Sequence, residues 1–133
     1  MGLKQIRIGL LIGVFSLFLS FAANSTENIA SIAVAANDSE PAAIVSEKAG
    51  RAAYFLFFDG SGKFLNAEKN PFSDASGGSG PKAATFLSDN GVTLVVAEKF
   101  GTKMERALSS FKIKYILRTG VAHEVVQAIT KEK

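Results

Sequence analysis

Asn70-Pro71-Phe72-Ser73-Asp74-Ala75-Ser76-Gly77-Gly78-Ser79-Gly80-Pro81-Lys82-Ala83-Ala84-Thr85-Phe86-Leu87 is the stretch on which the reading of this chain turns. Pro71 ends the strand before it, because proline cannot donate to a ladder. Pro81 suits the first position of a helix that runs to about Asp89, where Asn90-Gly91 gives a C-terminal cap signal. A loop rich in glycine and serine therefore joins a strand to a helix. Glycines let peptide N–H groups turn toward one point, and a helix start adds unpaired N–H groups with a partial positive charge. Ser76, Gly77, Gly78, Ser79 and Gly80 are expected to hold an anion there.

Upstream of this loop, Ile29 to Ala35 reads as a short buried strand bounded by Asn37-Asp38. A long polar connection from Ala36 to Arg51 follows, with the apolar pair Ile44-Val45 inside it. Tyr54-Phe55-Leu56-Phe57-Phe58 is an aromatic strand, Asp59-Gly60-Ser61-Gly62 a turn, and Lys63 to Lys69 the returning arm of a hairpin. Downstream, Val92 to Ala97 reads as a buried strand. Thr102-x-x-Glu105 has the form of a capping box for a helix to about Ser110. Ile113 to Leu117 is the next strand. A last helix opens at Thr119-Gly120, with Val121, Val125, Ala128 and Ile129 on its apolar face.

The order β-β-β-α-β-α-β-α predicts an α/β domain with a mixed five-stranded sheet and three helices. Its α-linked strands should be parallel. Ligands of such sheets sit beyond the carboxyl ends of the strands. That rim collects the glycine-rich loop, Glu98 to Thr102 with Gly101, and Arg118-Thr119-Gly120. Arg51, Lys82, Lys99, Lys103, Arg118 and His123 are nearby cations or cation-forming groups. Arg51, Gly101, Arg118 and Gly120 join the loop as candidate ligand contacts, and His123 is the one candidate metal ligand. Met104 reads as core.

The first 22 residues have a different character. Lys4 and Arg7 precede an apolar run from Ile8 to Ala23, the pattern of a secretory signal peptide cleaved between about residues 22 and 25. The alternative is an uncleaved membrane anchor, which needs roughly 20 apolar residues. Export would place the mature domain, residues 29–130, in the periplasm or outside the cell, with membrane contact only before cleavage. Lys4 and Arg7 account for two of the 15 basic residues, which stand against 12 acidic ones, so the mature domain is near neutral. Bulk charge makes no case for nucleic acid.

The chain has no cysteine, so disulfides and thiolate metal sites are excluded. Hydrolysis by converging carboxylates on a metal is not expected, since Asp38, Asp59, Asp74 and Glu98 fall in separate loops. No serine-elbow pattern is present either. The chain reads as a non-enzymatic binding protein, or else as a protein-interaction module for a redox or transport partner with no cofactor.

The segments Val45-Ser46-Glu47-x-x-Gly50-Arg51-Ala52-x-Tyr54-Phe55-Leu56, Asn70-Pro71 and Gly77-Gly78-x-Gly80-Pro81-x-Ala83-Ala84, with Leu87, Gly91-Val92 and Gly101, carry a resemblance. Together they resemble the dinitrogenase iron–molybdenum cofactor biosynthesis family, which includes NifX, NafY and the C-terminal part of NifB. Ala49 stands where that family has an aromatic residue. The resemblance implies a ribonuclease-H-like three-layer fold and binding of iron–molybdenum cofactor or another anionic metal–sulfur cluster. Such a cluster brings its own sulfide, so it needs no cysteine.

Overall fold

The computed structural model describes residues 30–132. The signal-peptide reading lies outside them. The described elements are β1 (Ile32–Ala36), β2 (Tyr54–Phe58), β3 (Phe64–Lys69), α1 (Ser79–Asp89), β4 (Leu94–Ala97), α2 (Thr102–Ser110), β5 (Lys114–Leu117) and α3 (Ala122–Lys131). They form the expected mixed sheet, in the order β3-β2-β1-β4-β5. β1 pairs antiparallel with β2 and parallel with β4, and β4 runs parallel to β5. β3 is antiparallel to β2, so β1, β3, β4 and β5 all end on one border. This architecture is compatible with a ribonuclease-H-like arrangement.

The central strands are apolar on both faces because both faces are covered. One face carries Ala33, Ala35, Phe55, Phe57 and Val95, packed under Ala83, Ala84 and Leu87 of α1 and Met104 and Leu108 of α2. The other carries Ile32, Val34, Leu56, Phe58 and Val96, under Ala43, Val45 and the apolar stripe of α3. Each buried Phe of β2 contributes about 1.5–3 kcal/mol by removing its ring from water. Phe86 of α1 lies over two of them, with ring centroids 6.1 Å from Phe55 and 6.4 Å from Phe57.

Three local expectations change. α1 starts at Ser79, so Pro81 is its third residue rather than its first. Its missing N–H costs nothing there, because first-turn N–H groups have no partner inside the helix. The capping box does not form. Thr102 is already helical, the cap position belongs to Gly101, and no side chain caps the helix. Glu105 instead lies beside Tyr115, whose phenol is pushed above its ordinary value first by desolvation and then by that carboxylate. On α3 the buried set is Ala122, Val125, Val126 and Ile129, a stripe at i, i+3, i+4, i+7. Ala128 faces solvent and Val121 is the cap.

The β2–β3 turn is organised by Asp59. Its Oδ1 accepts from the Ser61 N–H at 2.9 Å, the Ser61 hydroxyl at 2.7 Å and the Lys63 N–H at 3.0 Å. The Ser61 hydroxyl and then the Lys63 N–H hold the carboxyl below its usual value. A depressed carboxylate contributes stability above its unfolded pKa and loses it as pH falls through the folded one. Asp59→Ala should therefore destabilise the domain by about 1 kcal/mol at pH 7. The gap to wild type should close as pH drops below the ordinary carboxylate range, as read by urea unfolding across pH.

Candidate functional site

The starts of α1 and α2 meet at the border where β3 and β4 end, and a groove opens between them. Lys48, Ala49, Gly50, Arg51, Gly78, Ser79, Gly80, Pro81, Phe100, Gly101, Lys103 and Met104 are among its lining residues, and its volume is about 500 Å³. The close approach of the two helices depends on glycine. A Cβ on Gly80 would lie 2.8 Å from the Cβ of Met104, and one on Gly50 would lie 2.9 Å from the Cα of Gly80. Gly50, Gly80 and the Cβ of Met104 therefore pack where a side chain on either glycine would hold them apart. Gly78 adopts φ +69 to turn the loop into α1, a conformation costly for residues with a Cβ.

The wall opposite α1 is the segment from Val45 to Arg51. Val45 bridges to Ala36, and the Ser46 N–H donates to the Ala35 carbonyl at 2.7 Å. The Ser46 carbonyl accepts the Glu98 N–H at 3.0 Å, and Ala49 N–H donates to Lys99 at 3.1 Å. The segment thus lies across the ends of β1 and β4, which brings Lys48 beside Lys99.

Neither helix start has a side-chain cap. Their first peptide N–H groups have no partner within the helix, and both positive dipole ends border the groove. Lys48, Arg51, Lys99 and Lys103 add cationic side chains. Among the described residues only Lys99 of these four has a carboxylate partner, Glu47 at 3.5 Å, and that pair is exposed and weak. Phe100, Pro81, Ala49 and Met104 give part of the lining an apolar character.

The candidate residues separate into two groups. Arg51, Gly78, Ser79, Gly80 and Gly101 line the groove, as do Lys99 and Lys103. Ser76, Gly77 and Lys82 are exposed and outside its lining. Arg118, Gly120 and His123 are elsewhere, because α3 covers the opposite face of the sheet. Arg118 donates to the Leu117 carbonyl at 3.1 Å and pairs with Glu132 at 3.6 Å. The Gly120 carbonyl accepts the Val45 N–H at 2.9 Å. His123 donates from Nδ1 to the Pro41 carbonyl at 2.9 Å, the carbonyl being able only to accept. It lines a separate hollow with Glu40, Phe64 and Gln127. No group of three His, Cys, Asp or Glu placed to hold a metal ion occurs among the described residues.

Lys48 was not singled out from the sequence, although the Ile44-Val45 pair marks the segment that carries it over the sheet. In the sequence Asn70 stands out only through the Asn70-Pro71 pair. It is buried, its Nδ2 donates to the carbonyls of Gly50 and Ala52 at 3.0 Å each, and its Oδ1 accepts from the Phe72 N–H.

Fold and groove together define a small α/β domain with a rim lined by cations and two helix starts. The chain belongs to the dinitrogenase iron-molybdenum cofactor family, whose model matches residues 29–132. Solved structures agree. The apo form of the orange protein from Desulfovibrio gigas is similar at 26% identity and a TM-score of 0.70, over 80% of this chain and 92% of that one. A NifB-like protein of the DUF35 family from Thermotoga is similar at 25% identity and a TM-score of 0.66, over 77% and 88%. A comparison with curated proteins finds no match.

Gly80→Ala should destabilise the domain by about 1–3 kcal/mol, since the new methyl must push α1 away from Met104. Gly77→Ala meets no atom within 4 Å and should be close to neutral. Thermal unfolding of the two variants makes the comparison.

Proposed function

We propose that this protein is a non-enzymatic carrier of an anionic metal–sulfur cluster or metal oxyanion, held in the groove between the starts of α1 and α2. The observation that carries the reading is two uncapped helix starts meeting beside Lys48, Lys99 and Lys103. Membership of the iron-molybdenum cofactor family supports it. The donor set suits such a cargo. Peptide N–H groups and ammonium groups bind anionic sulfide or oxo surfaces without entering a metal's coordination shell. A chain with no cysteine can therefore carry a preassembled cluster that supplies its own sulfide. The apolar lining from Phe100, Pro81 and Met104 suits a polarisable, weakly hydrated surface. We place the working protein outside the cytoplasm, on the strength of the apolar, basic-led N-terminus. There it would deliver the cluster to, or accept it from, a redox or transport protein.

Titration of the purified protein with tetrathiomolybdate should give saturable binding at one site per chain. Replacing Lys48, Lys99 and Lys103 together by Ala should weaken it by about tenfold or more and flatten its dependence on ionic strength. No saturable binding of tetrathiomolybdate, molybdate or an iron–sulfur cluster would remove the proposal. Cell fractionation of the native host tests the export assignment separately.

A further inference from the structure

Two segments at the groove hold each other in both directions. From the loop side, the Asn70 amide donates to the carbonyls of Gly50 and Ala52, and the Asn70 N–H donates to Ala53 at 3.0 Å. From the other side, Arg51 Nη1 reaches back to the carbonyls of Ala75 at 2.8 Å and Ser73 at 3.4 Å. The Arg51 side chain is thus committed, at one nitrogen, to the main chain of the loop that leads into α1. The Gly50 backbone inside this clasp is also the one that lies against Gly80.

We infer that Asn70 and Arg51 are positioning residues. Their reciprocal clasp fixes the loop from Ser73 to Gly78, and through it the N–H groups at the start of α1. This rests on the groove being the binding site, and it changes the role of Arg51 from a charge facing the ligand to a hydrogen-bond donor that holds the loop. Asn70 has no charge to offer an anion, and its polar atoms are spent on Gly50, Ala52 and Phe72. A lysine at 51 would keep the charge but not the rigid, planar guanidinium whose Nη1 donates to both carbonyls.

The test combines amide hydrogen exchange without ligand and tetrathiomolybdate binding, on the full chain as wild type, Arg51→Lys, Arg51→Ala and Asn70→Ala. Exchange at residues 73–78 should rise in all three variants. Arg51→Lys should bind as poorly as Arg51→Ala, each about tenfold weaker than wild type, and both should keep the wild-type dependence on ionic strength. Arg51→Lys binding like wild type would make Arg51 a charge contact and overturn the inference. So would unchanged exchange in the two Arg51 variants, which are substitutions of an exposed side chain and stand in should Asn70→Ala fail to fold. If wild type does not bind at all, the carrier reading fails, and loop exchange alone still decides whether the clasp exists.

Discussion

The close approach of Gly50, Gly80 and the Cβ of Met104 is the constraint on which the rest of the site depends. Helices over a parallel sheet start where their strands stop, so α1 and α2 were bound to begin on the same border. Starting there does not make them converge. Helix axes usually stay 8–10 Å apart because side chains intervene. Here the glycine at the second position of α1 removes that spacer, and Gly50 removes the one from the segment laid over β1 and β4. Two positive dipole ends then border one groove.

Much of this order was legible in the sequence. The aromatic run of β2, the Asp59 turn and the returning arm specify a hairpin by local chemistry alone. The alternation of strand and helix from Phe64 onward specifies parallel strands and hence a common border for the helix starts. Periodicity does not state which face each helix takes. α3 has an apolar stripe much like its neighbours, and its start is held on the other side of the sheet by main-chain hydrogen bonds to Pro41, Ala43 and Val45. Arg118, Gly120 and His123 left the groove for that reason. The capping-box pattern at Thr102 fails for a local reason. Gly101 in extended backbone can end the loop by itself, so Thr102 is free to enter the helix, and Glu105 is free to face Tyr115.

The charge of the domain shows a similar gap between bulk and place. Near balance of acids and bases gives no hint of a cationic site. Folding creates one by bringing Lys48 alongside Lys99, and by setting Lys103 on the first turn of α2. The carboxylates that balance these charges sit mostly elsewhere, Asp59 at the far end of the hairpin and Glu132 at the end of α3. Asn70, the least conspicuous residue of the loop, joins Arg51 in linking the two segments, because its buried amide satisfies three main-chain groups of Gly50, Ala52 and Phe72.

A surface made of peptide groups has an unusual relation to heredity. Codon changes alter side chains and leave the main chain's own donors in place. The α1–α2 border can therefore tolerate wide drift in its exposed residues, provided no methyl appears at the two points where backbones touch. Chains that share about a quarter of their residues still share this fold, and a border built from main-chain donors is the part of it that side-chain exchange touches least.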